Sequence, residues 1–411
     1  MELLKFDLQA FADANVNTTN DNTTGNNLSA EMKTYYDRQM LKNAKHKLIH
    51  AQFGQKRNIP ANEGKTIQFR RMTPFPPATT PLTEGVTPDG RSLNVTAITA
   101  TVEQYGDYVT TSDMLKMTAI DPIIDETQEN QAEQAGLTFD TIAREILNAG
   151  DNVQYSDGSK LTRSSLTADD KMTVKAIKRA KNTLRRMYAG SIDGSNYVAI
   201  MHPDVCSDLA DDPEWKDVHS YNPKEWYEGE IGRVQGVRVI ENPEAKVFRA
   251  APIAGSIRRL TVKTAVSSAG TSIAVNEAIS AVDAAAFSGP VDIYIGGKAN
   301  TITAINEGAA GSATITLGTA ATAAVNDVIC GQGGTVDGLD VYSTLVIGKD
   351  AYGVTELENG GLETIIKQKG SGGTADPLEQ RATIGWKGTF TAVILEDAYM
   401  VRVETTSTYG E

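Results

Sequence analysis

Pro203-Asp204 followed by Glu214-Trp215-Lys216 has the residue types of a nuclease centre, in which two carboxylates hold Mg²⁺ and a lysine assists a water nucleophile. That chemistry needs Glu214 and Lys216 on a strand beside the aspartate. Here VCSDLADD reads as a short helix, and Pro213 stands directly before the glutamate, so the spacing is read as coincidental. His46 and His50 have the i, i+4 spacing of a metal pair on a helix but lack a third ligand nearby, and their lysine-rich surroundings read as a solvated basic face. His202, directly before a helix-opening proline, reads as structural. Gly296-Gly297-Lys298 has the end of a phosphate-binding loop without its upstream glycine and lies in a β-like segment. No GxSxG nucleophile elbow occurs. No catalytic residue, cofactor or metal is expected.

Lys171, Lys175, Lys178, Arg179, Lys181, Arg185 and Arg186 gather on one helical stretch. A single-stranded nucleic-acid face would interleave aromatics, and only Tyr188 is close, so the expectation is a solvated face or a seam against the acidic run Asp204 to Glu230 of a neighbouring copy. The formal net charge of −13 argues against a surface that grips DNA by neutralising phosphates. An acidic wall instead encloses DNA without adhering to it.

The 411 residues, 40% apolar, suffice for two or three lobes. Cys206 and Cys330 lie far apart, which suggests no disulfide framework and suits a reducing bacterial cytoplasm. Residues 1–12 look like a signal peptide, but Lys5, Asp7 and Gln9 interrupt the apolar run, so the segment is read as uncleaved. No run has the length of a membrane helix.

Several elements must hold these residues in place. Residues 13–27 are polar and low in complexity, an arm expected to be flexible or ordered only by a partner. Alternation over Lys65 to Met72 and Leu93 to Val102 predicts two strands joined by a proline-rich tip carrying Pro74, Pro76, Pro77, Pro81 and Pro88. A two-stranded ribbon is marginal in water, so this hairpin needs support from a partner. A long helix is bounded by Asp121-Pro122 and Gly150, with an apolar stripe in its later half and a polar first half spanning open ground. A second helix is expected from about 168 to 189, capped by Thr167, with Val174, Ile177, Leu184 and Met187 inward. Tyr197 to Met201 reads as a buried strand, and the alternation of helices and strands gives a mixed α/β lobe. From 251 to 336 the chain is rich in Ala, Gly, Thr and Ser with short strand-like runs, which predicts a small inserted β-sandwich or barrel. Val341 to Ile347 and Tyr352 to Leu357 return to the α/β lobe. Ile384, Trp386, Phe390, Ala392 and Ile394 share one face of a long closing strand.

This order of parts, together with YVAIMHPDVCSDLADDPEW, GVRVIENPEA, STLVIGKDAYGV and DPLEQRATIGWKGTFTAVILEDAYMVRVE, resembles the major capsid proteins of tailed bacteriophages, most closely the N-four-type branch. The resemblance implies an α+β Hong Kong-type capsid fold with an inserted small all-β domain. It places an N-terminal arm at 1–58, an E-loop with flanking strands at 59–110 and a peripheral domain with spine helix at 111–164. The axial domain then occupies 165–250 and 337–375, interrupted by the insertion at 251–336, and 376–411 supplies closing strands of the peripheral domain.

The implied function is structural and non-enzymatic: self-assembly into hexamers and pentamers of an icosahedral or prolate head enclosing double-stranded DNA, built in the host bacterial cytoplasm. Implied partners are further copies of the chain, a portal protein, separate scaffolding and decoration proteins, and DNA held non-specifically, with no membrane. The expected inter-subunit contacts are Lys65, Arg70, Arg71, Phe75, Pro76, Pro77, Glu84, Asp89 and Arg91. A basic seam is expected of Lys171, Lys175, Lys178, Arg179, Arg185 and Arg186. A tail-tube or surface-layer protein, and a Mg²⁺-dependent nuclease, are the rival readings.

Overall fold

The computed structural model describes residues 49–60, 64–72, 75–114 apart from 83, 86 and 88, 123–215 apart from 193, 232–357, 361–367, 378 and 380–410. Residues 1–48 of the expected arm, Pro74, Pro88, His46, Lys216 and most of the acidic run beyond Glu214 lie outside the described residues.

Two sheets carry the body. A seven-stranded sheet has the order β5 (Val153–Tyr155), β20 (Met400–Thr405), β16 (Val341–Ile347), β6 (Tyr197–Met201), β8 (Val237–Glu241) and β7 (Arg233–Val234), with β9 (Val247–Phe248) paired to β16. YVAIM and VYSTLVI are buried along their whole length because the sheet is covered on both faces, as continuous apolar runs require. Tyr197, Ala199, Met201, Tyr342, Val346, Val401 and Val403 pack into one core with α2 (Val174–Arg186) and α3 (Pro203–Asp211). Their strand neighbours Val198, Ile200, Leu345, Ile347 and Met400 face a second core with α1 (Ile123–Leu147).

The second sheet runs β1 (Gln55–Ile59), β17 (Tyr352–Leu357), β19 (Arg381–Ile394) and β18 (Glu363–Lys367), with β4 (Glu103–Ser112) also paired to β19. Alternation along β19 comes out as expected, with Ile384, Trp386, Phe390 and Ala392 buried beneath α1. Phe139 of α1 stacks on Phe390 at 5.0 Å between centroids and meets Trp386 edge-on at 5.8 Å.

Several expectations change. The polar first half of α1 does not span open ground. Gln128, Gln131, Ala132 and Ala135 are buried on one stripe, and the Gln131 amide donates to the Ile384 carbonyl at 2.7 Å. Helix α2 begins at Val174, capped by Thr173, because Asp170 accepts from the amide and hydroxyl of Thr167 at 2.8 Å and folds that stretch into a turn. Met187 is then the C-cap and half exposed, not inward. Strand β17 joins β1 and β19 rather than the α/β lobe. The closing segment also divides, since β19 stays with α1 whereas β20 crosses into the seven-stranded sheet between β5 and β16.

Residues 259–331 build a sheet of their own, in the order β10 (Arg259–Thr261), β15 (Val328–Gly331), β12 (Val291–Ile295), β13 (Lys298–Asn306), β14 (Thr314–Ala323) and β11 (Val266–Ala274). A Val262–Val275 bridge joins the first strand to the last, with the Lys263 amide bonded to the Ala274 carbonyl at 2.9 Å, so one sheet closes on itself and not two sheets face to face. Its interior is a separate core of residues such as Leu260, Ile273, Ile293, Ile302 and Ile315. One short helix, α4 (Ala281–Ala285), interrupts the strands. Gly296 and Gly297, with φ of +49° and +80°, form the tight turn between β12 and β13, which accounts for the Gly-Gly pair by backbone geometry.

Candidate assembly interface

Strands β2 (Thr66–Met72) and β3 (Val95–Thr101) pair only with each other among the described residues, in the register Thr66–Thr101 to Met72–Val95. The alternation predicted for this ribbon is present at its root, where Ile67 and Phe69 face inward and Ala100 is buried. Phe69, only 3% exposed, lies against Gly353 of β17, and the Arg57 guanidinium covers its ring at 5.5 Å from the centroid. Two positions further on, Arg71 pairs with Glu396 at 2.6 Å. The root is therefore supported by its own chain, a correction to the expectation that the whole hairpin depends on a partner.

Beyond the root that support ends. Every described residue from 75 to 97 is exposed, and Met72, Phe75, Leu82, Leu93 and Val95 present large apolar side chains to solvent at 64, 56, 76, 56 and 41% exposure. Burying each such side chain is worth about 1.5–3 kcal/mol, and clusters of this kind are typical of interaction surfaces. Of the residues singled out in the sequence, Lys65, Arg70, Phe75, Pro76, Pro77, Glu84, Asp89 and Arg91 are all exposed on this ribbon, and Arg91 bridges its two arms by donating to the Pro76 carbonyl at 3.2 Å. Between ribbon and body lies a cleft of about 480 Å³ lined by Arg57, Arg70, Arg71, Met72, Met187 and Glu396 among others. The roles of Gly353 and Glu396 were not visible in the sequence, since neither sits in a motif and both act through contacts with a distant strand.

The basic seam is in part spent within the chain. Lys175 pairs with Asp157 at 2.7 Å, Lys178 with Glu214 at 2.9 Å, and Arg179 donates to the Asp157 carbonyl at 3.0 Å. Lys171 is half-buried, and Arg185 and Arg186 stay exposed at the end of α2. A neighbour's acidic run is therefore not needed to neutralise Lys175 and Lys178.

The described residues of the nuclease-like set, Asp204 and Glu214, are each tied to another side chain. Asp204 sits in the first turn of α3 and accepts from the Tyr342 hydroxyl at 2.8 Å, while Glu214 is tied to Lys178. No group of three or more metal-ligating side chains occurs among the described residues. His50 is not on a solvated face: its ring and main-chain amide both bond to the Asp140 carboxylate, at 2.7 and 2.6 Å, with Asn242 alongside and both side chains 1% exposed.

A family model described as phage capsid protein matches residues 95–256. No curated protein matches the sequence. Among solved structures, the capsid of Ralstonia phage GP4 is similar with a TM-score of 0.53 at 12% identity, over 88% of this chain and 88% of that one. The capsid of cyanophage P-SCSP1u is similar with a TM-score of 0.50 at 11% identity, over 88% and 89%. At such identities the likeness is one of fold.

Proposed function

Because a phage capsid family model matches residues 95–256 and the chain shares the fold of phage capsids, we propose that it is the head-shell subunit of a tailed phage and acts only as many copies joined edge to edge. The observation that carries this reading is the ribbon from 75 to 97, whose apolar and charged side chains have no cover from their own chain among the described residues. Burying that surface repeatedly across a lattice supplies stability that one molecule lacks. Hexamers and pentamers built in the bacterial cytoplasm would then enclose double-stranded DNA, whose phosphates an acidic wall does not bind tightly. A portal protein, separate scaffolding protein and decoration proteins are proposed partners, and the barrel at 259–331 is proposed as an insertion into the axial domain. The role is structural.

Electron microscopy of the purified chain tests this. Closed shells are expected from the intact sequence, and a deletion of residues 74–89 is expected to leave folded subunits that form none. Tubes or flat sheets from the intact chain, or no assembly even with its scaffolding protein supplied, would overturn the reading, and normal shells from the deletion would remove the ribbon from it.

A further inference from the structure

Uncompensated charge of opposite sign lies in two places, at the cleft between ribbon and body and at the ribbon tip. Over the body, Arg57 and Arg70 line the cleft, and neither forms an ion pair with a carboxylate among the described residues. Arg71 beside them is held by Glu396, Arg57 lies over the Phe69 ring, and Asp350, which shares the cleft, forms no ion pair among the described residues. At the tip, Glu84 and Asp89 are exposed and form no ion pair among the described residues. Leu82, 76% exposed, stands two positions before Glu84, while Met72 and Met187, 64 and 51% exposed, flank the arginines.

We propose that Glu84 and Asp89 at the ribbon tip of one copy dock in the Arg57–Arg70 cleft of the next copy, with Leu82 entering beside Met72 and Met187. This rests on the shell reading and deepens it by naming the receiving surface. The charges are complementary, and the apolar groups on each side need cover that the other provides. The partner is a second copy because the tip stands clear of its own cleft, every described residue from 75 to 97 being exposed. Two different patches of one chain meeting in this way make a head-to-tail contact, which closes into a ring when the rotation between copies permits.

Charge reversal tests the docking. One variant carries Glu84→Lys and Asp89→Lys, the other Arg57→Glu and Arg70→Glu. Each alone sets like charges against each other and is expected to need at least about tenfold more protein to assemble than the wild type. An equal mixture is expected to form hexamers again, because in an alternating six-membered ring every lysine tip meets a glutamate cleft and every native tip a native cleft. Wild-type assembly by either variant alone, or a mixture no better than its components, overturns the proposal. Thermal melts equal to wild type establish that both variants are folded. If the cleft variant melts early, the exposed single change Arg70→Glu, mixed with Glu84→Lys, is judged by the same outcomes. Failure of the wild type to form shells would count against the shell reading, whereas wild-type shells indifferent to every reversal would sink the docking alone.

Discussion

The ring of Phe69 rests on the bare backbone of Gly353: a methyl group there would stand 2.7 Å from Phe69 Cζ. Strand β17 is flanked on both sides, with Gln55 and Val393 opposite this position, so its backbone cannot retreat. Gly353→Ala is therefore expected to destabilise the subunit by about 1–3 kcal/mol through overpacking. Adding Phe69→Leu should recover part of that loss in urea denaturation. A double variant less stable than Gly353→Ala would show that the ribbon root is held by something else.

Glu404 is fully buried and receives two hydrogen bonds of 2.7 Å from Arg163, whose guanidinium lies 3.5 Å over the Phe248 ring, while Arg402 approaches at 2.9 Å. Removing only the acid strands two cations, so Glu404→Gln is expected to cost about 3–5 kcal/mol. Glu404→Leu with Arg163→Leu removes the acid and one of the two cations, leaves Arg402 to the Asn148 and Gly150 carbonyls, and should lie closer to wild type. Equal losses for the single and double changes in chemical denaturation would refute this account.

His202 caps α3 by accepting the Asp204 amide at 3.3 Å. Burial lowers its pKa, outweighing the Asp204 carboxylate, which would raise it. A histidine with a lower pKa in the folded state stabilises the fold while neutral. Its contribution is complete above the unfolded value of about 6.5 and is lost as pH falls below it. His202→Asn keeps an N-cap acceptor and cannot titrate. Wild type should lose stability relative to this variant as the pH is lowered from 7 toward 5, and parallel pH profiles would exclude the mechanism.

Burial pushes the Cys206 thiol to about 12 and the Cys330 thiol to about 11, and neither is accessible. Reaction with a disulfide reagent at pH 8 is expected to be at least roughly a hundredfold slower in the native subunit than in denaturant. Rapid labelling of either thiol in the folded protein would contradict the packing around it.

Where burial follows a simple period, the residues announced the fold: β6 as an unbroken apolar run, β19 as strict alternation, α1 between Pro122 and Gly150. The exposed candidates on the ribbon were legible for the same reason, since prolines and charges there leave nothing to bury. Elements settled by polar contacts were not legible. Gln131 reads as solvent-facing until Ile384 is seen to accept its amide, and Asp170 reads as part of a helix until it folds back on Thr167. Partner choice among strands was hidden too. The parallel pairing of β1 with β17 and the passage of β20 beside β5 rest on main-chain hydrogen bonds that almost any residue can make, whatever its side chain. His50 was misjudged because its lysine-rich neighbours describe the segment before it, whereas its own side chain turns to Asp140.

Strands β10 and β15 are hydrogen-bonded neighbours, with Arg259 opposite Cys330, so the polypeptide goes into the barrel and comes out of it through a single doorway. Whatever happens beyond that doorway leaves the spacing of Val247–Phe248 and Val341–Ile347 untouched. A lineage is thereby free to lengthen, trim or exchange the entire module while the machinery that tiles the container stays in register.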